Sequence, residues 1–203
     1  MAESFDLNQT DRLLTTTRAV RKRLDLNRPV PRELITDCIR IACQAPAGSN
    51  LQRWRWIVDL YRRAYEPYIA MQKDAVQRTG RSGANAIMDS SDYLATVLHQ
   101  APALVIPCSL GVPEGPQGSV AGFYGSVLPA VWSFMLAARS RGLGTAWTTL
   151  HLAFEAEARV LLGIPDTVTQ VALTPVAYYT GDTFKPGNRR PAEEVTYFNG
   201  WKS

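Results

Sequence analysis

The chain has 203 residues, 46% hydrophobic and 20% charged, with a net charge of +4 and a pI near 9.1. Such a balance is that of an ordinary globular protein, and the length fits one domain over residues 1–203 with no Pro/Gly/Ser-rich linker. No uninterrupted apolar run approaches the roughly 20 residues that cross a bilayer, so a membrane protein is not expected.

Met1 to Thr17 is polar and mixed in charge, without the apolar stretch of a secretory signal, and a cytoplasmic location is expected. Residues 1–10 are expected to form a flexible extension. A helix is expected from Asp11 to Leu24, carrying Leu13, Leu14 and Val20. Pro31 opens the next helix, where its missing N–H costs nothing, and Leu34, Ile35, Cys38, Ile39 and Ala42 form its apolar stripe up to Ala45-Pro46. Ala47 to Asn50 is a loop by residue type. The alternation of Trp54, Trp56 and Val58 with Arg55, Ile57 and Asp59 predicts a strand whose tryptophans fill the core or a subunit interface.

Arg62 to Leu98 is helical in composition but broken near Thr79-Gly80-Arg81-Ser82-Gly83 by an expected exposed loop. Ala103 to Leu110 reads as a buried central strand, Val112 to Gly118 as a loop, and Val127 to Arg141 as a core helix closed by Gly142. Phe154 to Leu162 is a helix ended by Gly163, Val168 to Tyr178 is a strand, and Thr180 to Pro191 is a basic, turn-like tail. Strands and helices do not alternate regularly. The fold class is therefore α+β, with a mixed or antiparallel central sheet flanked by helices.

The chemistry-bearing residues exclude several mechanisms. With only His99 and His151, a metal held by several imidazoles is out, no G-x-S-x-G accompanies them, and both are read as packed polar residues. Cys38, Cys43 and Cys108 have no C-x-x-C spacing and are read as buried reduced thiols, with no metal expected. Gly142-Leu143-Gly144-Thr145-Ala146-Trp147 lacks the third glycine of a dinucleotide turn and follows a helix, and no P-loop occurs.

Three segments suit one anionic, heteroaromatic ligand. In Thr17-Arg18-Ala19-Val20-Arg21, two arginines three apart are expected on one helical face, where their fork-shaped donors can clamp a phosphate. In Ala45 to Gln52, the backbone and the Ser49, Asn50 and Gln52 side chains can hydrogen-bond a flat ring. Gly187-Asn188-Arg189-Arg190-Pro191 is a second basic cluster. The excess of arginine between Arg12 and Arg32 also raises nucleic-acid binding, which the modest pI and the lack of an aromatic-basic platform or helix-turn-helix disfavour.

Together with Arg141 to Trp147, these segments resemble, in order and spacing from Thr17 to Pro191, the motif series of the FMN-dependent nitroreductase family. The resemblance implies a nitroreductase-like fold and an intertwined homodimer with FMN at the subunit interface. It also implies that Arg18, Ala19 and Arg21 contact the phosphate, ribityl chain or pyrimidine edge, with Ala19 where the family usually has serine. Pro46, Ser49, Asn50 and Gln52 would lie at the flavin, Thr148, Thr149 and Leu150 near its N5 side, and Arg189 and Arg190 at the phosphate. Arg53 stands where proline commonly precedes the tryptophan, and Val176-Ala177-Tyr178-Tyr179 replaces a usual Gly-Tyr-Pro turn.

The activity so implied is hydride transfer from NAD(P)H through flavin N5 to a nitro, quinone or related small acceptor, with no acid or base residue required. NADH and NADPH are not distinguished. Two alternatives stay open: an FMN-binding protein without turnover, and a specialised flavin enzyme catalysing dehalogenation, enone reduction or flavin destruction.

Overall fold

A computed structural model describes residues 5–59 and 86–201. Helix α1 spans Leu7–Thr16 and is capped by Asp6, whose carboxylate accepts the Gln9 N–H. It takes in residues 7–10, which the sequence reading assigned to the extension, and it stops well short of Leu24. The cause is local first: Thr15, Thr16 and Thr17 are β-branched and turn their hydroxyls back onto the Asp11, Arg12 and Leu13 carbonyls. Thr17 is already extended, and Val20 N–H then donates to the Thr145 carbonyl at 2.8 Å, drawing the chain to the sheet. Arg18 and Arg21 therefore lie beyond the helix, on either side of the Ala19 bridge, and not on a helix face.

Helix α2 (Arg32–Ala42) follows Pro31 as expected and buries Ile35, Cys38 and Ala42, ending at Cys43 a little before the expected Ala45-Pro46. Strand β1 (Trp54–Asp59) leads toward the residues expected to break at Thr79 to Gly83, which lie outside those described. Beyond them come α3 (Ala86–Val97), β2 (Ala103–Leu110), α4 (Gln117–Gly125), α5 (Leu128–Ser140), β3 (Leu143–Thr145), α6 (Glu155–Leu162), β4 (Val168–Gln170) and β5 (Thr174–Tyr178). The sheet order is β1-β2-β5-β3, with β4 also on β2, and among the described residues every strand pair is antiparallel.

Strand β2 is central because both of its edges are paired, and it is buried because both of its faces are covered. Leu104, Ile106 and Cys108 enter one apolar cluster with Leu98, Leu173 and Ala177, while Ala103 and Val105 enter another with Ile35, Phe134 and Val176. Each large side chain so buried stabilises the fold by roughly 1.5–3 kcal/mol relative to exposure. Trp54 is buried and Trp56 packs against Phe134 with ring centroids 5.5 Å apart, so both tryptophans belong to the core.

The expected single strand from Val168 to Tyr178 is two. Gln170 lies opposite Cys108 and Thr174 opposite Val105, so Val171, Ala172 and Leu173 span the stretch that Ile106 and Pro107 occupy. One residue bulges there. Pro107 has no N–H to offer a neighbour, and only its carbonyl is used, accepting the Val171 N–H at 3.0 Å. Freed from β2, Leu173 exchanges both backbone hydrogen bonds with Thr148, at 3.0 and 2.9 Å.

Residues Gln117–Ser140 are together long and apolar enough to cross a membrane by length and composition. They divide instead at Ser126-Val127 into α4 and α5, and Ala130, Val131, Phe134, Met135, Ala137 and Ala138 of α5 are buried in the fold. Helix α4 replaces the end of a stretch read as loop.

Candidate functional site

The first group of candidate residues is placed by the edge of β3. Ala19 forms a parallel bridge with Thr145 and Leu24 an antiparallel one with Tyr179; Val20 and Leu24 are buried, while the intervening Arg21 and Arg23 are partly exposed and Lys22 is exposed. Arg21 is half-buried, and burial depresses its pKa from the ordinary value. Its Nη1 lies 3.4 Å from Ser90 Oγ on α3. Lys22 pairs with Asp89 at 2.5 Å, and Arg23 donates to the Thr180 and Thr183 carbonyls while stacking on Phe184. Among the described residues Arg21 alone of these three cations has neither a carboxylate nor a carbonyl partner. A cavity of about 180 Å³ opens beside it, lined also by Ala19, Ser90 and Phe184.

The tail meets this group. Arg18 Nη1 donates to the Lys185 carbonyl at 3.0 Å, which brings the residues just before Arg189 to the Arg18 segment. Arg189 itself is exposed and turns its Nη1 onto the Asn188 carbonyl at 2.8 Å, and Arg190 is exposed. A Cβ on Gly187 would come within 2.6 Å of that guanidinium, so the close fold-back of Arg189 depends on glycine there.

The second group is the loop after α2. Ser49, Asn50 and Gln52 adopt left-handed backbone at φ 50, 52 and 48°. Such conformations cost a non-glycine residue on the order of 1 kcal/mol or more and gather at functional sites. Hydrogen bonds hold the loop: Gly48 N–H donates to Ser126 Oγ at 2.9 Å, Leu51 N–H to the Gly48 carbonyl at 3.1 Å, and Gln52 Nε2 to Asn50 Oδ1 at 3.0 Å. Ser49 and Asn50 remain exposed, as does Pro46. Ser49 lines a cavity of about 470 Å³ whose lining includes neither Arg18 nor Arg21.

The third group follows β3. Because the Thr148 N–H is committed to Leu173, the backbone donors left for a ligand are those of Thr149 and Leu150. Thr148 Oγ1 is buried with no hydrogen-bond partner among the described residues, a state that protein interiors avoid unless another group completes it. The chain thus holds the Arg18, Arg21 and Thr148 groups along β3 and its continuation, and the Ser49 loop on a separate cavity. Ser90, Ser126 and Phe184 were not singled out in the sequence; nothing in their local pattern distinguishes them from surface or core residues.

Three further titratable groups, His151, Cys108 and Cys38, are packed away. His151 is fully buried and burial lowers its pKa to about 4; Cys108 is buried and its thiol is pushed up to about 12, chiefly by burial and then by Glu155. Cys38 is likewise buried, whereas Cys43 is half-exposed, which corrects its reading as a buried thiol.

Comparison with known proteins gives a consistent result. A curated iodotyrosine deiodinase from Nematostella vectensis is 26% identical over 179 residues, covering 82% of this chain and 67% of the relative. Among solved structures, iodotyrosine deiodinase bound to FMN and 3-iodo-L-tyrosine superposes with a TM-score of 0.71 at 18% identity, covering 96% of this chain and 99% of the other. The FMN and NADPH-dependent nitroreductase NfnB from Sphigopyxis sp. strain HMH does so with a TM-score of 0.69 at 19% identity, covering 95% and 99%. The sequence model of the Nitroreductase family matches residues 14–178, and the chain belongs to that family.

Proposed function

We propose that the protein binds FMN and acts as an NAD(P)H-dependent oxidoreductase on a small nitro, quinone or related acceptor. The observation that carries this reading is Arg21: a half-buried guanidinium without a carboxylate, opening onto a cavity at the edge of β3. Burying a cation without an anion is costly, and a ligand phosphate or the electron-rich edge of a flavin relieves that cost. Arg18, Arg21 and the Arg189-Arg190 tail are the residues to hold the anionic end. Thr148 Oγ1, unpartnered and buried, and the free N–H groups of Thr149 and Leu150 are the residues to hold the ring. When bound, FMN supplies two-electron chemistry, accepting a hydride from the nicotinamide and passing it to the acceptor. The chain's own part is to position both reactants and place positive charge beside the ring.

The Ser49 loop completes the site from a second copy of the chain in this proposal. Two features support it: the loop lines a different cavity from the arginines, and the tail carries exposed Val195, Phe198 and Trp201 in place of a covered surface. The likeness to iodotyrosine deiodinase favours a second reading, reductive dehalogenation of an aromatic acceptor by the same site.

An absorption spectrum of the purified protein, recorded before and after anaerobic addition of NADH and NADPH, tests the proposal. A yellow protein bleached by one nucleotide is expected. A yellow protein bleached by neither leaves only a binding role, and a colourless one that rejects added FMN removes the reading. Reoxidation by 3-iodotyrosine but not by nitroaromatics or quinones selects the dehalogenating alternative.

A further inference from the structure

Beyond Ser49, the cavity beside the loop is lined by residues to which the proposed flavin site gives no part. Arg53 lines it together with Ser49, Ser109, Phe123 and Glu114. The Arg53 backbone is anchored, its carbonyl accepting the Leu110 N–H at 2.8 Å, so the side chain projects from a fixed point where the strained loop meets β1. Its Nη1 lies over Gly111, where a Cβ would be 3.7 Å from both that nitrogen and the Phe123 ring. Guanidinium and aromatic edge therefore border the same space over Gly111. Glu114 faces the same space without forming an ion pair with Arg53. Among the described residues no side chain or carbonyl accepts from the Arg53 guanidinium, which leaves its planar fork of donors to whatever enters.

From this placement we infer that Arg53 selects ligands bearing a carboxylate or phosphate on an aromatic body, the anion against the guanidinium and the ring against Phe123. The inference rests on the proposed oxidoreductase site for its meaning, since the anion belongs either to the acceptor or to the nicotinamide dinucleotide. The cavity chemistry stands apart from whether flavin turns over.

Calorimetric titration of the purified full chain tests it without turnover. The probes are 4-nitrobenzoate, its neutral counterpart 4-nitrobenzamide, and adenosine 2′,5′-bisphosphate. A charge-assisted pair contributes enough that the wild-type protein is expected to bind one of the two anions at least about tenfold more tightly than the amide. Arg53→Gln abolishes that preference while leaving amide binding and the far-ultraviolet dichroism unchanged; Arg53→Lys restores part of it. Glu114→Gln tightens the anion a few-fold by removing a like charge. Preference for the benzoate assigns the subsite to the acceptor, and preference for the bisphosphate assigns it to the dinucleotide. Equal binding of amide and both anions, or a preference that survives in Arg53→Gln, overturns the inference. Flavin content, read from the same samples by absorbance, reports separately on the oxidoreductase reading.

Discussion

His151 shows what a buried ionisable residue does to the pH response of the whole fold. Its folded pKa is near 4 because burial penalises the charged ring, whereas the unfolded chain titrates near the ordinary 6.5. As pH falls through 6.5 the unfolded state takes up a proton that the folded state refuses. Stability is therefore full above neutrality and is lost between about pH 6.5 and 4, by on the order of 3 kcal/mol from this residue. Urea midpoints measured across that range should fall, and His151→Gln should flatten the slope; an unchanged slope in a folded variant would contradict the burial argument. Arg21 gives the second prediction at this scale. Arg21→Ala should still hold some FMN but bind it roughly tenfold or more weakly and reduce it more slowly in stopped flow, since one charge-assisted contact is removed. Reduction at the wild-type rate in a flavin-loaded variant would remove the role given to Arg21.

Among the elements, β3 positions the proposed site. A Cβ on Gly144 would sit 3.0 Å from Val20 Cβ and Cγ1 and 3.1 Å from Leu24 Cδ2, so the Arg18 segment can approach β3 only over a glycine. Gly144→Ala should destabilise by about 1–3 kcal/mol through overpacking. It should also weaken FMN binding more than an equally destabilising change elsewhere in the core, which paired thermal melts and flavin titrations would reveal. The strand that matters so much was also the one least visible in the sequence. Leu143-Gly144-Thr145 is three residues long and reads as a glycine turn, because pairing with Tyr178, Ala177 and Val176 is not written in local periodicity. Helix α2 and strand β2 were legible for the opposite reason: a 3.6-residue stripe and a bounded apolar run are local signals. Helix α4 was hidden by Gly118, Gly122 and Gly125, which lower helix propensity. For the candidate site, the residue types at Arg18, Arg21 and Ser49 suggested a ligand, while their arrangement was not legible: Val20 looked like part of a helical stripe but is buried by the sheet.

At the scale of the whole molecule, the exposed C-terminal residues are the unexplained surface. From Ala192 to Trp201 every residue is exposed, Phe198 at 78% and Trp201 at 83%, and the Tyr197 and Trp201 rings stack on each other 4.4 Å apart. Under the proposed dimer, these side chains find their cover on a second subunit. The 22.5 kDa chain should then sediment at about twice its mass, and removal of residues 192–203 should shift it toward monomer at micromolar concentration with parallel loss of FMN. A truncated protein that stays dimeric and flavin-loaded would place the interface elsewhere.

The long-range pairing of the sheet also sets a timetable for the nascent chain. Synthesis delivers Arg18 and Arg21 almost first, yet their support at Thr145 comes more than a hundred residues later, and Thr148 must wait further for Leu173. Strand β2 leaves the ribosome with only β1 to pair with, and its opposite edge is covered only when β4 and then β5 have emerged. A ribosome stalled before Tyr178 therefore carries a chain whose central strand is only partly covered and whose β3 lacks its β5 partner, and the last fifth of translation is when the proposed site first closes.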